Sequence, residues 1–159
     1  MSYQAVILTV SDSCAAGTRT DTSGPAIRGM LENAGFVVQA MQTVPDEEGQ
    51  ISAAIVHACD ILQADLVVTT GGTGLSPHDV TPEATLAVLD REIRAIPVAM
   101  WVEGLKSTPR AMLSRAVAGI RGHTLVLNVP GSEKAARENL SAVVATLDHA
   151  LRMLAGGGH

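Results

Sequence analysis

Short apolar runs alternate along this chain with longer segments in which apolar residues recur every three or four positions. Runs of the first kind are typical of strands covered on both faces, and the second spacing is typical of helices with one buried face. The runs predict strands at residues 5–10, 36–44, 66–70 and 124–129. Strands alternating with amphipathic helices predict an α/β fold, with a mostly parallel central sheet and helices on both faces.

The predicted helices begin at residues that suit helix starts. Ser23 and Thr81 are suitable N-caps, Pro82 suits a first helical position, and Ser132 is a suitable cap for the last helix. Residues 117–120 and 124–129 are predicted either to pair as a hairpin or to form two consecutive strands. The helices are predicted at residues 24–33, 47–62, from about 81, 98–105, 111–116 and from 133 to about 154.

Length and composition predict a single domain over residues 1–155, followed by a frayed glycine tail at 156–159. The chain has one Trp, one Tyr and one Phe among its 159 residues, so its core must consist of Ala, Val, Leu and Ile. The formal net charge of −5 and the scarcity of aromatic residues argue against nucleic-acid binding.

The cysteines and the first apolar run bear on location. Cys14 and Cys59 lack metal-binding spacing, which favours a reducing compartment and no zinc site. The run at 5–10 is too short for a signal peptide or a membrane span. We therefore expect a cytoplasmic protein without a membrane segment.

The chemistry is predicted to centre on a glycine-rich loop without lysine, between the strand at 66–70 and the helix that starts near 81. Three closely spaced glycines allow several backbone amides to approach one anion. The loop is neither a P-loop, because no Gly-Lys-Ser/Thr follows, nor a dinucleotide-binding fingerprint. It is either an anion or nucleotide site or an ordinary tight connection. Its residues are Thr70, Gly71, Gly72, Thr73 and Gly74.

Polar residues also follow the other predicted strands. Ligands of open α/β sheets lie beyond the carboxyl ends of the strands, so these residues are candidates to line one cleft. They are Ser11, Asp12, Ser13, Asp46, Asn128, Pro130, Gly131 and Ser132.

Asp46 and Asp79 are the candidate ligands of a Mg²⁺ ion that carries a nucleotide, since this ion commonly binds one or two carboxylates together with substrate phosphates. The alternatives are helix capping for Asp46 and an Asx-type turn for Asp79. Arg115 either neutralises a substrate anion or is solvated, and Ser132 either binds a second phosphate or only caps its helix. His78 is expected to lie exposed on the loop.

The sequence resembles the MogA/MoaB family of molybdopterin adenylyltransferases, which includes the G domain of gephyrin. The resemblance covers nearly the whole chain in one order. Its motifs are Thr69-Thr70-Gly71-Gly72-Thr73-Gly74, Asp79-Val80-Thr81-Pro82-Glu83-Ala84-Thr85, Ser11-Asp12, Asp21-x-Ser23-Gly24, Pro45-Asp46, Met112-Leu113-Ser114-Arg115, Gly119-Ile120-Arg121-Gly122 and Asn128-x-Pro130-Gly131-Ser132.

The resemblance implies a three-layer α/β/α domain that forms homotrimers and adenylylates molybdopterin with ATP and Mg²⁺, releasing pyrophosphate. It implies catalytic and metal-binding roles for Asp46 and Asp79, and a molybdenum insertase as a possible downstream partner. The implied nucleotide- and pterin-binding residues are Ser11, Asp12, Ser13, Thr70, Gly71, Gly72, Thr73, Gly74, Thr81, Pro82, Ser114, Arg115, Asn128, Pro130, Gly131 and Ser132.

Two features leave alternatives within this resemblance. Family members often carry a basic residue where this chain has His78, which puts a permanent phosphate contact at that position in doubt. Some relatives act as non-catalytic pterin-binding or scaffolding trimers, although retention of both aspartates favours the enzyme. A general nucleotide-binding regulator is the third alternative.

Overall fold

The computed structural model describes residues 2–157. Its strands are β1 (Gln4–Val10), β2 (Val37–Val44), β3 (Leu66–Thr70), β4 (Arg91–Glu92), β5 (Ala118–Arg121) and β6 (Thr124–Val129). Its α-helices are α1 (Asp12–Ala15), α2 (Ser23–Asn33), α3 (Glu48–Val56), α4 (Thr81–Leu86), α5 (Ala95–Leu105), α6 (Glu133–Ser141) and α7 (Leu147–Leu154). A π-helical turn (His57–Ile61) extends α3, and 3₁₀ turns occupy Pro109–Leu113 and Val144–Thr146.

The described strands form one sheet in the order β2-β1-β3-β6-β5-β4. The neighbours among β2, β1, β3 and β6 are parallel, whereas β5 pairs antiparallel with β6 and β4 pairs antiparallel with β5. The predicted mostly parallel α/β fold is therefore confirmed. The choice left open for residues 117–120 resolves to a hairpin with β6.

Helices cover both faces of the sheet, and alternate residues of β1 show this directly. Ile7 packs in a core with Ile27 of α2 and with residues of α5, α6 and α7, whereas Leu8 packs in a second core with Ile55 of α3. This alternation follows from the two-residue period of a strand. Phe36 is the one fully buried aromatic side chain in these cores among the described residues, as the composition predicts.

Two predicted helix caps are wrong. The side chain that accepts at the start of α2 belongs to Asp21, whose Oδ1 takes a 3.0 Å hydrogen bond from the Gly24 amide, and Ser23 is already inside the helix. Thr81 is the first residue of α4 rather than its cap, and its buried hydroxyl donates to the Gly71 carbonyl at 2.9 Å. At α2 the cap moves to a neighbouring residue, whereas at α4 a contact ten residues away takes the place of the local cap.

Two other helix predictions need correction. Residues 111–116 do not form an α-helix, because the 3₁₀ turn at Pro109–Leu113 gives way to an extended backbone at Ser114. The last helix is broken into α6 and α7 by a 3₁₀ turn, although Ser132 caps its start as predicted by accepting from the Ala135 amide. Of the predicted tail, residues 158 and 159 lie outside the described residues.

The buried side chain of Asn128 joins three elements beneath the future site. Its Nδ2 donates to the hydroxyls of Thr69 on β3 and Thr85 on α4, at 2.8 and 3.1 Å, and its Oδ1 accepts from the Val117 amide at 3.1 Å. All three side chains are fully buried, so these bonds satisfy groups that would be costly to leave unpaired. Asn128 thereby fixes where α4 begins relative to the sheet. Among the described residues, no helix has the length and apolar character needed to span a membrane.

Candidate functional site

A cavity of about 770 Å³ lies beyond the carboxyl ends of β1, β3 and β6, where open α/β sheets bind ligands. The loops that follow these strands and β2 contribute most of the predicted site residues. Those that line the cavity are Ser11, Asp46, Thr70, Gly71, Gly72, Thr73, Gly74, Asp79, Ser114, Pro130, Gly131 and Ser132.

The glycine loop forms the base of this cavity because its backbone packs against three other segments. Gly71 has φ +101°, and an added Cβ would collide with the Val10 carbonyl oxygen. Gly72 has φ +70°, and a Cβ there would collide with the Thr81 hydroxyl. Gly131 is also close, since a Cβ there would stand 3.2 Å from the Gly71 Cα, which is a tight contact rather than a collision. Glycine is therefore required at Gly71 and Gly72 by contact as well as by conformation.

Several amides of the loop remain available to a ligand. The Gly71 amide is already committed to the Val129 carbonyl at 3.1 Å, so it is no anion donor. In the part of the chain that the structure describes, the amides of Gly72, Thr73 and Gly74 donate to no protein acceptor. Consecutive amides of this kind form an anion-binding concavity. They are the donors on which a phosphate group can be bound.

Asp79 is held at the rim of the loop by a turn. Its Oδ2 accepts from the Ser76 amide at 3.0 Å, and its own amide donates to the Ser76 carbonyl at 2.9 Å. This is a β-turn closed on Ser76 rather than the predicted alternative, an Asx-type turn, in which the side chain would accept from an amide two residues further on. It leaves the carboxylate facing the loop, where a Cβ on Gly74 would stand 2.9 Å from Oδ2. His78, by contrast, is exposed and does not line the cavity.

Asp46 approaches the same loop from the end of β2. It exchanges two hydrogen bonds with Asp12: the Asp12 amide donates to its Oδ2 at 3.0 Å, and its own amide donates to the Asp12 Oδ1 at 2.8 Å. Its Oδ1 lies 3.2 Å from the position of a Cβ on Gly72. The capping alternative is wrong, because α3 has no side-chain cap at its start; Asp46 instead accepts from the first amide of α1, a helix whose N-cap is Ser11.

Burial and neighbouring charge disfavour the ionised form of Asp46. Partial burial raises the pKa of Asp46 above its usual value, and the carboxylates of Asp12 and Asp79 raise it further, against the hydrogen bond from the Asp12 amide. Crowded carboxylates of this kind are stabilised by a bound cation. The cavity thus holds an excess of negative charge next to amides that favour an anion.

The donor set fits Mg²⁺ only if a ligand completes its coordination. No cluster of three or more His, Cys, Asp or Glu side chains suited to a metal occurs in the described residues 2–157. Asp46 and Asp79 supply two carboxylates, and Mg²⁺ in nucleotide enzymes is commonly held by one or two carboxylates with substrate phosphates and water. The residues present fit a metal that arrives with its nucleotide rather than a resident metal centre.

Six of the predicted site residues do not line the cavity. Asn128, Thr81 and Pro82 are fully buried, and their backbone and side chains support the loop from beneath. Asp12 braces Asp46, and the Ser13 carbonyl accepts from the Thr18 hydroxyl at 3.1 Å. Arg115 bonds the loop's carbonyls instead of facing a ligand. These residues therefore support the residues that line the cavity and do not face a ligand themselves.

Five charged residues of the cavity were not among the predicted site residues. They are Arg19, Asp21, Arg110, Lys134 and Glu138. Of these, only Asp21 belongs to a motif that the sequence shows, Asp21-x-Ser23-Gly24. The predicted cap of α2 is nevertheless Ser23 rather than Asp21. Arg19 and Arg110 come from segments outside the regular helices and strands, in which the spacing of residues does not indicate where a side chain points.

The same architecture occurs in solved structures. That of the molybdopterin biosynthesis enzyme MoaB from Thermus thermophilus matches with a TM-score of 0.92 and 49% identity over 97% of each chain. A molybdopterin biosynthesis protein from Mycobacterium abscessus matches with a TM-score of 0.92 and 40% identity, also over 97% of each chain. A family model described as "probable molybdopterin binding domain" matches residues 6–149. The chain belongs to this molybdopterin-binding family. The resemblance noted in the sequence is thereby confirmed.

Family members of known name differ greatly in length. The molybdopterin adenylyltransferase of Escherichia coli is 38% identical over 139 residues, which is 86% of this chain and 71% of that protein. The cinnamon molybdenum cofactor synthesis protein of Drosophila melanogaster is 40% identical over 149 residues, 93% of this chain and 25% of that protein. This chain therefore spans a quarter of the length of that curated relative, and about half (49%) of a bifunctional relative from Chlorobaculum tepidum.

The raised pKa of Asp46 yields a stability prediction. A carboxyl group that is harder to ionise in the folded protein lowers stability as pH rises from its unfolded-state pKa through its folded-state pKa. Asp46→Asn is therefore expected to raise the Tm of this family member at pH 7, and the gain should vanish near pH 3. Thermal unfolding at both pH values measures this. Asp148→Asn, which removes an exposed carboxylate on α7, is the control and should give no gain. A Tm at pH 7 that is unchanged or lower in Asp46→Asn would show that the site does not strain this carboxylate.

Proposed function

We propose that this chain adenylylates molybdopterin with Mg-ATP as a step of molybdenum cofactor biosynthesis. A phosphate oxygen of the pterin forms a bond to the α-phosphorus of ATP, the bond from that phosphorus to the bridging oxygen breaks, and pyrophosphate leaves. The observation that carries the proposal is the joint position of Asp46, Asp79 and the free amides of Gly72, Thr73 and Gly74 around one cavity. Relatives named molybdopterin adenylyltransferase support it.

Attack at phosphorus requires positioning and charge neutralisation more than covalent help from the protein. In the proposal, Asp46 and Asp79 hold Mg²⁺, which neutralises charge on the triphosphate when bound. The loop amides bind phosphate oxygens by their N–H groups. The start of α6 at Ser132 offers a second set of backbone N–H donors. Ser114, Pro130 and the other cavity-lining residues bound the space that the two substrates share.

The product is an activated adenylate, which a metal-inserting enzyme must consume. A molybdenum insertase as downstream partner is therefore part of the proposal. A cytoplasmic location is also proposed, supported by the two free thiols of Cys14 and Cys59.

A homotrimer is proposed as the assembly, and α5 offers surface for it. Val98, Val102 and Leu105 form one stripe on this helix and are 50%, 56% and 45% exposed. An exposed apolar stripe of this kind is typical of a surface that another chain covers.

Substitution of Asp79 tests the reaction. Asp79→Asn keeps the size of the side chain but removes the charge that binds the metal, so pyrophosphate release from Mg-ATP in the presence of molybdopterin is expected to fall about 100-fold or more. The Tm should stay close to that of the unmodified protein, and Asp148→Asn should retain full activity. Near-normal turnover by Asp79→Asn would refute the assignment. If the unmodified protein binds molybdopterin but releases no pyrophosphate, the chain is a binding or scaffolding trimer instead.

Sedimentation tests the assembly. The unmodified chain should sediment at about three times its 16.4 kDa mass, and Val102→Glu should shift it to the monomer because the apolar stripe then carries a charge. Ile61→Glu is the matched control, since Ile61 is 69% exposed on the π-helical turn, outside the stripe. A monomer for the unmodified chain, or equal dissociation by both variants, would rule out α5 as the interface.

A further inference from the structure

Arg115 binds both ends of the loop segment that carries Asp79. Its Nε donates to the Gly74 carbonyl at 2.8 Å, and its Nη2 donates to the Asp79 carbonyl at 2.7 Å. Its backbone amide donates to the Thr73 carbonyl at 2.8 Å. The third donor group, Nη1, pairs with the Glu83 carboxylate at 2.6 Å, in the first turn of α4. One side chain therefore connects the start of the segment, its end and the helix that follows.

Without Arg115, little else ties this segment to the body of the protein. Residues 75–78 are exposed, and Leu75 keeps 65% of its surface in solvent. The two hydrogen bonds between Ser76 and Asp79 turn the segment back on itself but do not reach the sheet. Arg115, by contrast, is anchored, because buried Ala116 and Val117 follow it and lead directly into β5.

The chemistry of the contact requires the guanidinium group. Its planar fork presents separate donors in fixed directions, which suits two carbonyls and a carboxylate at once, whereas an ammonium is a single point of charge. Its positive charge is paired with Glu83, and the hydrogen bond from Arg115 lowers the pKa of that carboxyl group. Arg115 does not line the cavity, so its charge is not directed at a ligand there.

We propose that Arg115 is a positioning residue that fixes the Asp79 carboxylate for binding of a divalent cation. The inference rests on the proposed function for the identity of the reaction, but the metal-binding step can be measured without turnover. A displacement of about 1 Å at a reacting centre costs on the order of 100-fold in rate. Loss of the contacts at Gly74 and Asp79 is expected to allow a displacement of this kind.

The test compares Arg115→Lys and Arg115→Met with the unmodified protein. Mn²⁺ is the probe, and its affinity is measured by electron paramagnetic resonance in the presence of a non-hydrolysable ATP analogue. Both variants are expected to bind Mn²⁺ about tenfold more weakly, because the carboxylate is no longer held in place. In the turnover assay the Mg²⁺ needed for half-maximal rate should rise and kcat should fall, while KM for ATP at saturating Mg²⁺ stays within about threefold.

Arg121→Met is the matched control. Arg121 also joins distant segments, with two bonds to the Asp60 carboxylate at 2.7 and 3.1 Å and one to the Val88 carbonyl at 2.9 Å, and it does not line the cavity. It should lower the Tm as Arg115→Met does, yet leave Mn²⁺ affinity unchanged. If Arg115→Met does not fold, Arg115→Lys decides the matter.

The outcomes separate this inference from the proposed reaction. The positioning role is overturned if the Arg115 variants bind Mn²⁺ as tightly as the unmodified protein. It is also overturned if Arg121→Met weakens Mn²⁺ binding as much as the Arg115 variants do. Absence of Mn²⁺ binding by the unmodified protein with the nucleotide analogue also overturns it. If the unmodified protein binds Mn²⁺ in an Arg115-dependent way but releases no pyrophosphate, the positioning role is supported and the proposed reaction fails.

Discussion

The close approach of Gly71 to the Val10 carbonyl is the contact on which the rest of the site depends, because no side chain fits between them. It brings the end of β3 against the end of β1, and Gly131 closes the same gap from the end of β6. The loops that follow these strands are thereby confined to one region beyond the carboxyl ends of the strands. Asp46 and Asp79 reach one cavity because the strand ends next to them pack this closely together.

The electrostatics of the cavity follow from this packing. Two carboxylates face a loop without lysine, so the loop itself offers an anionic substrate no positive charge, and the cations of the cavity, Arg19, Arg110 and Lys134, come from other segments. In the proposed reaction a divalent cation would resolve this conflict, because it would bind the carboxylates and the phosphates together. The amides of Gly72, Thr73 and Gly74 contribute dipoles rather than charge to the binding of an anion. The proposed chemistry is therefore a consequence of what the loop lacks as much as of what it contains.

The parts of this structure that the sequence predicts are those set by local pattern. The buried strands show as short apolar runs, and Asp46 and Asp79 are recognisable because polar residues at strand ends converge in a parallel sheet. Partners that are distant in the chain leave no such trace. Arg115 bonds Gly74 and Asp79 across 41 and 36 residues, and spacing alone does not show that its side chain turns away from the cavity. The same holds for Thr81, whose hydroxyl is drawn to the Gly71 carbonyl in place of a cap.

A crystal structure of the protein with Mg²⁺ and a non-hydrolysable ATP analogue tests the central claim most directly. The account predicts a metal ion bound at about 2.1 Å to oxygens of Asp46 and Asp79 and to the triphosphate, with phosphate oxygens on the amides of residues 72–74. A nucleotide bound elsewhere, or a metal ion that touches neither aspartate, would contradict it.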